Sequence, residues 1–320
     1  MADALLIERS RLGTGCAEVW TLNAPTTRNA LTDDMVAALR AACERAQHDA
    51  VLRVVVLRGA GGHFCAGGSL GQFASAIGRP HGEGVDPLIA VNRAFGRLLQ
   101  ALCDLPQVLI AAVQGSAMGG GVGLVCCADH VLASPDAQFA TPEVTLGIVP
   151  AQIAPFVVRR LGDARARDWL LSGARWSAEQ AMAAGLVNAI ADTGLAPSPL
   201  WGEGKGEGIA ALNESTSAHP HPHPLPQAGE GAKPADAADA VDAALNAATL
   251  QKLKQFAQAA PGAVAHTKQI LTKLAANHAL DVVLDDASQR FARALRGPEA
   301  ALGLKAFAAR QPAPWVKGAA

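Results

Sequence analysis

The chain contains no tyrosine, and only 4% of its 320 residues are aromatic. A core poor in large rings has to be filled by Ala, Val, Leu and Ile, a fine-grained filling that suits closely packed helices. An excess of either charge is also missing: 27 Lys and Arg face 28 Asp and Glu, a formal net charge of -1. Such a balance offers no global field to a polyanion, so general nucleic-acid binding is excluded. The longest apolar runs, Val108 to Val113 and Val122 to Ala128, fall far short of the roughly 20 residues that span a bilayer, which excludes a membrane span. The N-terminus, Met1 to Arg9, has no basic region before its short apolar stretch and no cleavage-like site, and it predicts a cytoplasmic protein. No CxxC pair occurs among Cys16, Cys43, Cys65, Cys103, Cys126 and Cys127, which sit among aliphatic neighbours. Their setting predicts buried, reduced thiols, and their spacing assembles no zinc site.

What is present divides into three compositions, and at roughly 150 residues per domain the length allows about two domains or one with an insertion. Residues 1–191 alternate strand and helix. Ala17 to Leu22 alternates as a strand does, and Asp33 to Gln47 repeats its apolar positions at helical spacing with Thr32 as N-cap. Val51 to Leu57 and Val108 to Val113 read as buried strands closed by glycines. Asn92 to Leu105 reads as a helix stopped by Pro106, and Val122 to Leu132 as a segment that starts as a helix and runs into the next strand. This alternation predicts an α/β arrangement with helices covering a sheet.

Residues 192–235 change texture, with runs such as Pro197-Ser198-Pro199 and His219-Pro220-His221-Pro222-His223-Pro224 that hold neither helix nor ladder. A low-complexity, disordered insertion is expected, and deleting Pro197 to Pro234 is expected to leave folding nearly unchanged. Proline between the histidines enforces an extended form without closing ligands, so no metal site is read there. Residues 236–320 are helical again, broken at Pro261-Gly262, and predict a cap, an oligomer contact or simple core packing.

Three short stretches carry chemistry. Gly61-Gly62-His63-Phe64-Cys65-Ala66-Gly67-Gly68 follows a strand, and its glycines let a ligand approach peptide N–H groups without a Cβ in the way. Gly119-Gly120-Gly121 opens a helix, where unpaired N–H donors favour an anion or a developing oxyanion. It matches neither a P-loop nor a dinucleotide fingerprint. In the third stretch, Thr141 to Pro150, Glu143 is a lone carboxylate in apolar surroundings. It is either a surface cap or, if buried beside a reactive carbonyl, a proton carrier with a pKa raised toward neutrality.

Taken together, Phe64-Cys65-Ala66-Gly67-Gly68, Ile110 to Gly115 leading into Gly119-Gly120-Gly121, Pro142-Glu143 with Leu146 to Pro150, and Ala183 to Val187 resemble the crotonase superfamily, the enoyl-CoA hydratase/isomerase family. The resemblance implies an α/β, crotonase-like spiral of β-β-α units with a helical C-terminal region, assembled as a homotrimer or a dimer of trimers. It also implies an acyl-CoA thioester as substrate with no further cofactor, its oxygen held by the N–H groups of Gly68 and Gly120. Arg28, Lys268, Lys305 and Arg310 are candidates for the CoA phosphates, with Ala66 and Leu70 beside the pantetheine arm.

The chain departs from that family at Gly123, where ordinary hydratases carry a first glutamate, so Glu143 alone remains. Asp129 matches an aspartate that looks structural. The stretches Asn92 to Gly96, Pro150 to Arg160 and Leu284 to Phe291 resemble the isohexenylglutaconyl-CoA hydratase branch of acyclic terpene degradation, which shares that glycine. This implies hydration of a branched, carboxylated enoyl-CoA, with Gln152 either orienting the water or satisfying backbone groups. An isomerase shuttling a proton through Glu143 stays open, as does a catalytically silent assembly protein.

Overall fold

A computed structural model describes residues 3–69, 83–192, 234–276 and 278–316. Leu70, nearly all of the expected insertion and its histidine tract lie outside the described residues. The chain forms a six-stranded sheet in the order β1 (Leu5–Leu12), β2 (Gly15–Leu22), β3 (Leu52–Gly59), β4 (Val108–Val113), β6 (His130–Ala133) and β9 (Ala189–Ile190). Only the β1–β2 pair is antiparallel. A second sheet of three short strands, β5 (Ser116–Met118), β7 (Gln138–Ala140) and β8 (Arg175–Ser177), stands beside it.

The apolar run of β3 follows from its burial on both faces. Val55 and Leu57 join Leu109, Ala111 and Val113 of β4 in one core, while Val54 and Val56 join Val108, Ile110 and Ala112 in the other. Helices α1 (Asp33–Gln47), α2 (Pro87–Cys103), α3 (Gly120–Cys126), α4 (Ala154–Leu161), α5 (Asp163–Ser172) and α6 (Ala178–Ala184) follow these strands. Met35 and Leu39 of α1 and Leu98 and Leu102 of α2 fill the first core with Trp20. Leu245 and Leu253 of α7 (Pro234–Phe256) cover the second. Helices α8 (Pro261–Ala275), α9 (Leu280–Arg296) and α10 (Pro298–Ala308) complete the C-terminal region. Buried Arg53 ties that region to β3, donating to the carbonyls of Ala257 (3.0 Å), Ala259 (2.6 Å) and Trp315 (3.0 Å).

Several sequence expectations hold and others shift. Thr32 caps α1, its hydroxyl accepting from the Met35 N–H at 3.2 Å. Helix α2 begins at Pro87 rather than Asn92, because Asp86 caps it through the Leu88 N–H and its first turns leave Leu88, Ile89 and Val91 exposed, off the core period. Helix α3 ends at Cys126 and the chain enters the next strand at His130, as the reading of Val122 to Leu132 expected. Among the described residues no helix is long and apolar enough to cross a membrane, and no group of three His, Cys, Asp or Glu is placed to hold a metal ion.

Candidate active site

The site forms where the loops after β3 and β4 meet. Cys65 donates its N–H to Ser116 O at 2.9 Å and accepts from Met118 N–H at 2.9 Å, so the glycine-rich loop continues as a strand-like partner of β5. On its other side Leu31 N–H donates to Gly67 O at 2.8 Å and Ala66 N–H to Arg28 O at 2.8 Å. The chain reaches this position through two consecutive left-handed residues, Arg28 (φ 51) and Asn29 (φ 57). Asparagine tolerates that conformation. Buried Asn29 also fixes the loop, donating to Ala60 O at 2.9 Å and His63 O at 2.7 Å. His63 Nδ1 accepts from Ser116 N–H at 3.3 Å. Burial, and then the charge of Arg28, holds that imidazole below its ordinary pKa and keeps the ring nitrogen an acceptor.

Gly67 and Gly119 bring the two glycine loops into contact. Both adopt positive φ, 88 and 48. A Cβ on Gly67 would stand 2.7 Å from Met118 O and 3.4 Å from Gly120 N, so no side chain fits between the loops. Gly67 thus lies against the Gly120 nitrogen, and among the described residues neither the Gly68 N–H nor the Gly120 N–H has a backbone acceptor. Leu31 and Phe95 close over Gly120: a Cβ there would meet Leu31 Cδ1 at 2.7 Å and Phe95 Cζ at 3.2 Å.

Glu143 reaches this junction from the 3-10 turn Pro142–Leu146, which follows β7. A Cβ on Gly119 would lie 2.7 Å from Glu143 Oε1, so the absent side chain at Gly119 is what admits the carboxylate. Glu143 Oε2 is buried without a hydrogen-bond partner among the described residues. Burial raises the Glu143 pKa above the ordinary carboxylate range, opposed by a hydrogen bond from its own backbone N–H. An unpaired, partly desolvated carboxylate against backbone amides without acceptors is suited to taking and returning protons beside a developing oxyanion.

Gly123 is a packing position. A Cβ there would lie 2.7 Å from Ile153 Cγ2 and 3.3 Å from Leu99 Cδ1, so a glutamate at this point has no room. Gln152 contacts α2, donating its amide to Asn92 Oδ1 at 2.8 Å and lying where a Cβ on Gly96 would collide with Oε1. Asp129 Oδ2 accepts from Leu109 N–H at 2.8 Å and from Lys268 Nζ at 2.6 Å. Lys268 also donates to Gln107 O at 2.6 Å and is buried in this ion pair, in a cleft lined by neither Gly68 nor Gly120. Arg28, Lys305 and Arg310 are exposed. The structure thus brings Arg28, Ala66, Gly68, Gly120 and Glu143 to one place and sets Lys268 apart. The sequence reading gave Phe95 no place in the site and took Gly119 only as a member of the glycine triplet. The glycine triplet marked Gly119, whereas an exposed-looking aromatic on a helix carries no signal of its own.

The sequence profile of the enoyl-CoA hydratase/isomerase family matches residues 14–193. The chain belongs to that family. A protein named as a probable enoyl-CoA hydratase from Mycobacterium tuberculosis is 40% identical over 173 residues, 54% of this chain and 65% of that protein. The chain therefore spans less than two thirds of that curated relative's length. The crystal structure of an enoyl-CoA hydratase/isomerase from Marinobacter aquaeolei superposes with TM-score 0.77 at 35% identity, covering 99% of this chain and all of the other (100%). Pseudomonas aeruginosa AtuE does so with TM-score 0.76 at 35% identity, covering 98% of this chain and 100% of AtuE. These likenesses extend through the helical C-terminal region, and the fold is the crotonase fold.

Proposed function

We propose that this crotonase-family chain hydrates an enoyl-CoA through a single carboxylate. The observation that carries this reading is the buried Oε2 of Glu143, without a partner among the described residues, on a side chain that reaches the junction of the two glycine loops where, among those residues, the Gly68 and Gly120 amides lack backbone acceptors. In the proposed reaction the thioester oxygen accepts from both amides, each worth roughly 3 kcal/mol as enolate charge develops. Glu143 takes a proton from water while the water oxygen bonds to C3, and then returns a proton to C2 from the same face. The product is a 3-hydroxyacyl-CoA, and the chemistry needs no cofactor beyond the CoA thioester of the substrate. Arg28, Lys305 and Arg310 are exposed cations suited to CoA phosphates, and Ala66 and Leu70 are assigned to the pantetheine arm. Gln152 is assigned to the water, held by Asn92.

The acyl group is proposed to be branched and carboxylated, of the isohexenylglutaconyl type, on the strength of the Asn92 to Gly96, Pro150 to Arg160 and Leu284 to Phe291 stretches and of Gly123. A second reading, double-bond isomerisation by Glu143, draws support from the same tight packing at Gly123, which leaves one carboxylate for the work. The enzyme is proposed to act in the cytoplasm as a trimer or a dimer of trimers. Leu280, Leu284, Phe291 and Leu295 recur at helical spacing along α9 and are all exposed, an apolar stripe that a second subunit would cover.

Incubation with straight, branched and carboxylated enoyl-CoAs, followed by mass analysis, tests the reading. Hydration of isohexenylglutaconyl-CoA is expected. Fast turnover of crotonyl-CoA without it refutes the substrate assignment, and deuterium exchange at carbon without a hydroxylated product selects isomerisation.

A further inference from the structure

Helix α2 carries a buried glycine in its interior, Gly96. Glycine is the poorest helix former after proline, so its presence there calls for a packing reason. A Cβ on Gly96 would collide with Gln152 Oε1 and lie 2.8 Å from Arg93 Nη1. An acceptor oxygen and a cationic donor therefore converge over one bare point of the helix. Arg93 reaches it from the preceding turn, three residues back on the same face. Gln152 comes from the loop after Pro150 and is held at its other end, its Nε2 donating to Asn92 Oδ1 at 2.8 Å.

The guanidinium of Arg93 is exposed, and among the described residues no carboxylate pairs with it. A guanidinium keeps its charge and presents a planar fork that fits a carboxylate with two bonds at once. Its place on α2 says which end of a ligand it meets. Phe95 closes over Gly120, and two helical residues span only about 3 Å of rise, so Arg93 stands close to the reacting end of the site. The phosphates of CoA are a whole pantetheine arm away from the thioester, which leaves the acyl side. Leu88 and Ile89, one turn before Asn92, and Ile148 and Val149, just before Gln152, expose apolar side chains along the same two segments. An acyl chain finds apolar surface there and one unpaired cation.

We infer that Arg93 is a specificity-determining residue that takes the far carboxylate of a dicarboxylic acyl-CoA, with Gln152 Oε1 positioning its guanidinium. This role rests on the proposed reading of the junction of the two glycine loops as an acyl-thioester site, and it gives the carboxylate of that reading one partner. The glycine at position 96 is what lets the pair seat against the helix.

Isothermal titration calorimetry of the full chain with saturated acyl-CoAs, which bind without turning over, tests this assignment. Glutaryl-CoA is expected to bind about tenfold more tightly than pentanoyl-CoA, its counterpart with a methyl end. In Arg93→Met that advantage is expected to disappear while the affinity for pentanoyl-CoA is unchanged. Arg93→Lys, which keeps the charge and loses the fork, is expected to restore part of it. Wild-type protein that binds the two ligands alike, or neither, overturns the assignment. So does an Arg93→Met protein that keeps the advantage, or one that loses both ligands equally, the mark of a structural role or of a contact to the CoA phosphates. The first comparison is made on the wild-type protein, so a variant that fails to fold does not remove the test. Hydration of enoyl-CoAs by a protein that binds the two alike strikes Arg93 and leaves the proposed reaction, and the advantage without hydration does the reverse.

Discussion

Replacing Glu143 by Gln should move activity and stability in opposite directions. The substitution keeps the side chain's shape beside Gly119 and removes the group proposed to carry the proton. A positioned general acid or base typically contributes 10²–10⁴-fold, so turnover should fall by about that factor. The native fold should gain, because the ionised carboxylate has an oxygen buried without a partner. A neutral amide costs less to bury than a charge. The orphaned acceptor is worth about 1 kcal/mol once solvent screening of this half-buried group is allowed for, or roughly 2 °C in Tm. The sign of the pH dependence follows from the raised Glu143 pKa. The native state holds this proton more tightly than the unfolded chain does, so the stability it contributes is present below the ordinary glutamate pKa of about 4.3 and is lost as pH rises through the native value. The advantage of Glu143→Gln should therefore appear near neutral pH and vanish near about pH 4. Loss of the conjugated-thioester absorbance reads the rate, and thermal unfolding by circular dichroism at both pH values reads the stability. A variant that hydrates within tenfold of wild type, or that melts lower at neutral pH, refutes this account of the site.

Gly68 has open space where a Cβ would project and no positive φ. Gly68→Ala should therefore keep most activity while Gly68→Pro, which lacks the N–H, loses about 10²–10³-fold in kcat. Equal kinetics for the two would remove that amide from the mechanism. Gly123→Glu should not create a two-carboxylate hydratase. Its Cβ would sit 2.7 Å from Ile153 Cγ2, overpacking that typically costs about 1–3 kcal/mol before the charge is counted, so the urea midpoint should fall. A stable variant with faster hydration would contradict this. Buried Glu18 accepts from Arg45 at 2.9 and 2.6 Å and from Trp20 Nε1 at 2.8 Å. Burial opposes its charge, yet these bonds outweigh it and hold the carboxyl below its usual range. Glu18→Gln should cost about 1–2 kcal/mol, reduced by the exposure of Arg45. The wild-type advantage should be full above the ordinary glutamate pKa of about 4.3 and disappear as pH falls through the lowered native value, read by urea unfolding at each pH.

Much of the fold was legible because its signals are local. The continuous β-branched and aliphatic run of Val108 to Val113 marks a strand covered on both faces, and the structure places that strand with those bounds. Thr32 marked the start of α1 for the same kind of reason, a side-chain oxygen within reach of its own next turn. Where local signals weaken, sequence and structure part. The first turn of α2 presents Leu88, Ile89 and Val91 to solvent, so its apolar residues do not repeat with the core. The end of α3 blends into β6 because Val131 and Leu132 are apolar in either state.

By itself the sequence determined which groups were available: two glycine loops able to bare their amides, one carboxylate, a glycine in place of a second, and six cysteines without a pairing motif. Spacing along the chain carries that much, since turn glycines and helix periods are written over a few residues. Distances between segments far apart in sequence were decided by the tertiary structure. It set Glu143 Oε1 against Gly119, packed Ile153 where a Gly123 side chain would go, and drew Lys268 into an ion pair with Asp129. Each of these depends on how two cores pack on opposite faces of one sheet, and packing is a property of shapes meeting in space.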